Sequence, residues 1–196
     1  MLVALCWACS GCGETGFPVA EDGGADGLVQ LTLTVSVVGP ALDGLVVTSG
    51  ELELEETGLV GDAPYDGRTQ MRRATFVLGG APQSFVFPLA APGLYSRLRT
   101  EIDHLELSGS WRGMPLHIQT AGDERVADIR GPDEQLSPVQ SASFQLLVDG
   151  TKWLTAATLD GVAPTSGFLE IDETVAPAAI DDVMARITDS FSLTAP

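Results

Sequence analysis

The residues with the clearest chemical potential are three cysteines in the N-terminal segment CWACSGCGETG, namely Cys6, Cys9 and Cys12. Thiolates at this three-residue spacing can ligate zinc or an iron–sulfur cluster, but a closed coordination shell takes about four ligands. The chain has no fourth cysteine, and its two histidines, His104 and His117, lie far along the sequence. A metal or redox motif is therefore the weakest interpretation of this segment.

The surroundings of Cys12 favour a different chemistry. Residues 1–8, MLVALCWA, are almost wholly apolar, and Ser10 and Gly11 stand directly before Cys12. An apolar run followed by small residues is the layout of an export signal. The segment resembles the lipobox of bacterial lipoproteins, which implies that Cys12 is acylated, with palmitate among its lipids, and becomes the mature N-terminus.

Two features depart from that layout. Cys9 stands where the lipobox usually has Leu, and no Lys or Arg precedes the apolar run. A secretory signal ordinarily begins with such a charge. We therefore interpret residues 1–12 as a lipoprotein-type signal truncated at its start, with a plain secretory or disordered leader as the alternative.

Beyond Cys12 the composition predicts a tether and one domain. Residues 13–27 are rich in Gly and acidic residues without hydrophobic periodicity, as is typical of a flexible tether. Residues 28–196 are long enough for one ordinary domain. With 27 acidic and 10 basic residues the formal net charge is −17. This charge repels a phosphate backbone and makes nucleic acid a poor partner.

Most of the domain has the period of β-strands. In residues 28–38, LVQLTLTVSVV, apolar and polar side chains alternate, as in a strand with one buried face. Similar short runs recur between Gly- and Pro-containing turns, and no crossover helices separate them. The sequence therefore predicts a mainly β protein, an antiparallel β-sandwich of about eight or nine strands. Two of these runs, RRATFVL and QSFVFPL, are predicted to form a hairpin, and GPDEQLSP is predicted to be a loop.

One predicted strand changes its phase. Leu98 and Ile102 share one register, whereas Leu105 and Leu107 share the other. Because a shift of one residue moves side chains to the opposite face, a bulge is expected at the slip, which lies at Asp103 and His104. His104 is expected to make a structural hydrogen bond there.

The C-terminal segment has the period of a helix. Ile180, Val183, Met184, Ile187 and Phe191 form one apolar stripe, which predicts an α-helix over roughly 177–190 packed against the sandwich.

Catalytic patterns are missing from the chain. It contains neither a Gly-x-Ser-x-Gly elbow nor H-E-x-x-H spacing nor a phosphate-binding glycine loop, so we predict no enzyme, no cofactor and no metal ligands. Exposed aromatic rings can stack on sugars, which makes Trp111, Tyr65 and Tyr95 weak ligand-binding candidates, with packing as the alternative.

A longer stretch adds a family resemblance. The run PLAAPGLYSRLRTEIDHLEL, with Pro92-Gly93 and Tyr95 opening a strand, is similar to a motif of bacterial lipoprotein domains that carry a domain-of-unknown-function label. The resemblance covers about residues 28–160. It implies an immunoglobulin-like or transthyretin-like β-sandwich and a place in the cell envelope, and it assigns no catalytic residues.

Together these features predict a non-enzymatic lipoprotein of the outer membrane that faces the periplasm or the cell surface. It would be held to the membrane by its N-terminal lipid and would bind an unidentified protein or carbohydrate or have a structural role. A cation-dependent adhesion module and, less favoured, a small envelope hydrolase are the alternatives.

Overall fold

The computed structural model describes residues 27–62, 68–120, 125–137 and 140–195. In this part of the chain ten strands and two α-helices follow one another. The strands are β1 (Val29–Val38), β2 (Leu45–Gly61), β3 (Gln70–Val77), β4 (Gln83–Ala90), β5 (Gly93–Trp111), β6 (Met114–Gln119), β7 (Arg125–Leu136), β8 (Ser141–Asp149), β9 (Leu169–Ile171) and β10 (Phe191–Thr194). The helices are α1 (Ala156–Asp160) and α2 (Pro177–Thr188).

The strands form two sheets. One sheet has four strands in the spatial order β10-β8-β1-β4. The other has six strands, of which five lie side by side in the order β3-β2-β5-β6-β9, while β7 also pairs with β5. The predicted β-sandwich with a C-terminal helix is thereby confirmed, with ten described strands instead of eight or nine. It is not purely antiparallel, because β1 pairs β8 and β6 pairs β9 in parallel. Strands of the other sheet lie between β1 and β8 in the sequence, so no crossover helix is needed.

Alternating side chains build the core between the sheets. On β1, Val29, Leu31, Leu33, Val35 and Val37 are buried, as their alternation predicts. The opposing sheet contributes the buried leucines and isoleucines of β2, β5 and β6. Each such side chain stabilises the fold by about 1.5–3 kcal/mol when fully buried. Trp153 and Leu154, which follow β8, are also buried.

The long strand β5 holds the larger sheet together. Along one edge it pairs with β2 over nearly its whole length. Along the other edge its first part pairs with β7 and its last part with β6. The phase change predicted at Asp103 and His104 is confirmed: Glu53 pairs with His104 and Leu54 with Ile102, which leaves Asp103 as an extra residue.

Two local predictions are wrong. Strands β3 and β4 are not a hairpin, because they belong to different sheets. The chain crosses from one sheet to the other at Gly79, whose φ is +70° and whose N–H donates to the Val37 carbonyl. The segment predicted as the loop GPDEQLSP is strand as far as Leu136, since β7 continues there alongside the start of β5.

The C-terminal helix is confirmed, with one correction. Its apolar stripe is buried at Ile180, Val183, Met184 and Ile187, and the helix contacts β7, β9 and α1. Phe191 was predicted in the same stripe but begins β10, because the helix ends at Thr188. No helix in the described residues is long and apolar enough to cross a membrane.

A carboxylate joins the two helices. The Thr158 hydroxyl of α1 donates to Asp182 Oδ2 at 2.6 Å, and Arg186 Nε donates to the same oxygen at 2.9 Å. These hydrogen bonds, the one from Arg186 above all, lower the pKa of Asp182.

Deletion of Asp103 tests the bulge. Without the extra residue, either Leu98 and Ile102 or Leu105 and Leu107 must turn towards solvent. We expect the free energy of unfolding to fall by more than about 3 kcal/mol, the value of two buried aliphatic side chains. The measurement is urea unfolding followed by circular dichroism.

The matched control is Asp103→Ala, which keeps the residue count. It loses a contact of 3.5 Å with the exposed Arg73, which is worth about 0–1 kcal/mol. Equal stability of the deletion and the substitution would contradict the role of the bulge.

Candidate functional site

The outer face of the six-stranded sheet concentrates the carboxylates of the domain. Leu52 and Leu54 point into the core, so the residues between them point outwards. The same holds on β5 around Ile102 and Leu105. Six carboxylates lie together on this face, namely Glu51, Glu53 and Glu55 on β2, and Glu101, Asp103 and Glu106 on β5. The same face also carries Asp128 and Glu170 and the arginines Arg73, Arg97, Arg99 and Arg130. We call this surface the acidic face.

Like charges oppose each other across two strands of the acidic face. Glu51 pairs directly with Glu106, and Glu55 pairs with Glu101. Directly opposed side chains on a sheet lie about 4.5–5.5 Å apart at Cβ, and like charges there destabilise the sheet. The opposed glutamates therefore lower the stability of the sheet, and a β-sandwich does not require them.

The bulge places His104 beside these carboxylates. His104 Nδ1 donates to the Thr120 carbonyl at 2.8 Å, since a carbonyl can only accept. This is the structural hydrogen bond predicted for His104. It leaves Nε2, the other ring nitrogen, 3.9 Å from Glu106 Oε2. The side chain of His104 is 25% exposed.

Thr120 lies in the gap between β6 and β7, the two strands that pair with the same edge of β5. Its N–H donates to the Leu105 carbonyl at 3.0 Å, and its hydroxyl oxygen accepts from Leu105 N–H at 2.8 Å. Thr120 is only 1% exposed. Neither β6 nor β7 pairs with the backbone next to the bulge. Thr120 alone therefore supplies the hydrogen-bond partners of the Leu105 carbonyl and N–H.

His117 enters the site from the neighbouring strand. It pairs with Ser108 on β5, and its Nε2 lies 3.7 Å from Glu106 Oε1. The buried neighbours Leu116 and Ile118 place its side chain on the outer face, where it is 25% exposed. Glu106 is thus approached by an imidazole at each of its two oxygens. We call Glu51, His104, Glu106 and His117 the histidine–glutamate cluster.

A second cluster of carboxylates lies next to it, and an arginine compensates its negative charge. Arg73 on β3 contacts Glu53 at 2.9 Å and Asp103 at 3.5 Å, and it also contacts Glu55. One guanidinium therefore compensates three carboxylates. Glu106 lies beside the two histidines instead, 3.9 Å from Nε2 of His104 and 3.7 Å from Nε2 of His117.

A shallow groove adjoins the histidine–glutamate cluster. Its volume is about 380 Å³, and it is lined by Thr48, Ser49, Gly50, Glu51, Val77 and Glu106. The register shift in this part of β2 lies between Val47 and Ser49. At Gly50 a Cβ would come to 2.6 Å from Leu78 Cδ1 and to 3.0 Å from the Glu106 carbonyl oxygen. The glycine therefore leaves room for the Leu78 side chain and for the close approach of β2 to β5.

Of the candidate site residues from the sequence, the structure describes Trp111 and Tyr95, which lie towards opposite ends of β5. Cys12 and Tyr65 lie outside the described residues. Trp111 is 4% exposed, its Nε1 donates to Asp160 Oδ1 at 2.8 Å, and Arg112 covers its ring at 4.5 Å. Tyr95 is 2% exposed and donates to the Ala91 carbonyl at 2.6 Å. These positions favour the packing alternative for both rings.

Sequence reasoning missed the histidine–glutamate cluster. The alternation on β2 and the phase change on β5 indicate that Glu51, His104 and Glu106 all face outwards. They do not indicate that β2 and β5 are neighbours, or that Glu51 and Glu106 are in register. The cluster depends on that non-local pairing.

No protein-family model matches the chain, and no curated protein sequence matches it. The predicted membership of a lipoprotein domain family therefore stays a resemblance, of which the β-sandwich is confirmed. Solved structures similar to the chain include a candidate cell adhesion protein from Bacteroides ovatus, at 9% identity and a TM-score of 0.25. That match covers 63% of this chain and 40% of the adhesion protein, so it spans less than half of that protein's length.

Another similar structure is the T6SS lipoprotein TssJ1 from Pseudomonas aeruginosa. It is 12% identical, the TM-score is 0.23, and the match covers 64% of this chain and 91% of TssJ1. TM-scores of this size do not establish a common fold.

Substitution of Thr120 tests how the site is held. Thr120→Val keeps the shape of the side chain but leaves the buried Leu105 N–H without its acceptor. An unsatisfied buried group costs about 1–3 kcal/mol, and we expect that loss in the free energy of unfolding, measured by urea denaturation.

The control is Thr34→Val on the outer face of β1, where the hydroxyl contacts Ser84 at an exposed position. Its effect should stay within about 0.5 kcal/mol. Equal losses in the two variants would mean that Thr120 has no special role.

Proposed function

We propose that the chain is a non-enzymatic binding domain, held at the bacterial cell envelope by a lipid on Cys12. The observation that carries the proposal is the layout of the titratable side chains. His104, His117 and the carboxylates lie on the acidic face, an open sheet surface, and no serine of the described residues is hydrogen-bonded to either histidine. A surface of this kind suits recognition better than catalysis.

The surroundings of His104 argue against a hydrolase. A nucleophile and its base lie about 2.6–3.2 Å apart, and a third group orients the base. His104 donates to a backbone carbonyl, and its Nε2 is 3.9 Å from the nearest carboxylate oxygen. Within the described residues no serine hydroxyl is hydrogen-bonded to either histidine. An oriented imidazole is present, but the group that it would activate is missing from this part of the chain.

The envelope location is supported by the sequence around Cys12. The resemblance to a lipobox gives the site of attachment, and residues 13–27 separate it from β1. A spacer of this length extends to at most about 50 Å. The domain could therefore stand clear of lipid headgroups and present either sheet to a partner.

The two outer faces offer contrasting surfaces for binding. In the described part of the chain, the face of the four-stranded sheet carries one carboxylate, Asp149, at the end of β8. Its other residues are uncharged and include Gln30, Thr32, Thr34, Ser36, Ser84, Val86, Ser143, Gln145, Leu147, Ser192 and Thr194. The acidic face would attract a cationic surface and repel an anionic one. A protein ligand is therefore the leading candidate. With Trp111 and Tyr95 in the core, a carbohydrate ligand has less support.

The lipid anchor is tested by mass spectrometry of the mature N-terminus after expression in a bacterium. We expect the chain in the membrane fraction to begin at Cys12 and to carry a diacylglyceryl group. Cys12→Ser should abolish the modification and release the protein from the membrane. Cys9→Ser is the matched control and should be lipidated like the natural chain. An unprocessed Met1 in the cytosol would overturn the proposal.

A further inference from the structure

We propose that Glu51, His104 and Glu106 form a binding site for a divalent transition metal of the zinc class, with His117 as a neighbouring fourth donor. One oxygen or nitrogen from each of the first three residues lies within 4.8 Å of the others. The inference rests on the fold and side-chain geometry of the described residues. It does not depend on the lipid anchor.

Strand pairing fixes the positions of the donors. Glu51 and Glu106 are direct partners on β2 and β5, and His104 precedes Glu106 by two residues on the same face. His117 lies on β6, diagonal to Glu106, because Glu106 pairs with Gln119. Donors held on adjacent strands keep their spacing better than donors on loops.

The hydrogen bond of His104 is the one that a metal-binding imidazole needs. Ligating histidines almost always donate their second ring N–H to a carbonyl or carboxylate, which fixes the tautomer and the ring orientation. His104 Nδ1 donates to the buried Thr120 carbonyl. Nε2 is therefore the ring nitrogen left to bind a metal, and it lies 3.9 Å from Glu106 Oε2.

The charge of the site points to a cation. The neighbouring carboxylates Glu53, Glu55 and Asp103 share the guanidinium of Arg73. Among the described residues, no arginine or lysine forms an ion pair with Glu51 or Glu106. A divalent ion would compensate the negative charge of Glu51 and Glu106, just as Arg73 compensates the charge of the neighbouring carboxylates.

The distances leave room for an ion after small rotations. Two donors bound to one tetrahedral ion at about 2.1 Å stand about 3.4 Å apart. His104 Nε2 lies 3.9 Å from one oxygen of Glu106, and His117 Nε2 lies 3.7 Å from the other. The carboxyl groups are partly exposed, so their rotation does not disturb the core.

The donor types select the metal. An imidazole nitrogen with carboxylate oxygens suits Zn²⁺ and other first-row divalent ions. Ca²⁺ takes six to eight oxygen ligands and does not use imidazole. The groove beside Glu51 and Glu106 leaves one side of the ion open to water or to a donor group of a partner.

The experiment is calorimetric titration of Zn²⁺ into the full chain, in a background that removes competing ligands. Because a thiolate is a good ligand for zinc wherever it lies, Cys6, Cys9 and Cys12 are all changed to Ser. This background also removes the lipid, so the result is independent of the anchor. Titration with Ca²⁺ under the same conditions is the second arm.

Variants at the site identify the donors. In this background we expect one zinc per chain. His104→Gln and Glu106→Gln should each weaken the affinity by at least tenfold, while Ca²⁺ should bind at least tenfold more weakly than Zn²⁺. Glu53→Gln, a carboxylate of the same face that Arg73 compensates, is the matched control and should leave the affinity unchanged. Circular dichroism of each variant establishes that it is folded.

A spectroscopic measurement separates binding at this site from binding elsewhere. Imidazole NMR signals of His104 should shift on addition of Zn²⁺ to the cysteine-free chain and stay in place with Ca²⁺. The proposal is overturned if zinc does not bind, if it binds equally to His104→Gln and the parent, or if Ca²⁺ binds as tightly.

Discussion

The bulge at Asp103 is the constraint on which the rest of the structure depends. The core requires Leu98 and Ile102 before it and Leu105 and Leu107 after it to point inwards, which a regular strand cannot do. One extra residue reconciles the two halves, and the backbone at this point meets neither β6 nor β7. Thr120 compensates with three hydrogen bonds, two to Leu105 and one to His104. One position thus links the packing of the core to the hydrogen bonding of β5 in the gap between β6 and β7.

The same constraint shapes the surface. The bulge holds both Asp103 and His104 on the outer face. In a regular strand one of the two would point inwards. The bulge therefore places the imidazole of His104 among the carboxylates of the acidic face. Arg73 balances one group of these carboxylates, and the histidines adjoin the other. The result is an open sheet face on which carboxylates and imidazoles lie close together, and this face underlies the binding function proposed above.

Local patterns revealed much of this architecture in advance. Alternation predicted β1, the phase change predicted the bulge, and the stripe from Ile180 to Ile187 predicted the C-terminal helix. Each of these patterns depends only on residues that are close in the sequence. Pairing between distant strands was not accessible. Turn residues between β3 and β4 favoured a hairpin, whereas β3 pairs with β2 in one sheet and β4 pairs with β1 in the other. For the same reason the meeting of Glu51 with Glu106 could not be predicted.

The most direct measurement is a crystal structure of the cysteine-free chain with zinc, using anomalous scattering at the zinc edge. The account predicts an anomalous peak between Glu51, His104 and Glu106, about 2.0–2.2 Å from their donor atoms, and no peak there in crystals of Glu106→Gln. A peak only at other carboxylates, or none at the histidine–glutamate cluster, would contradict it.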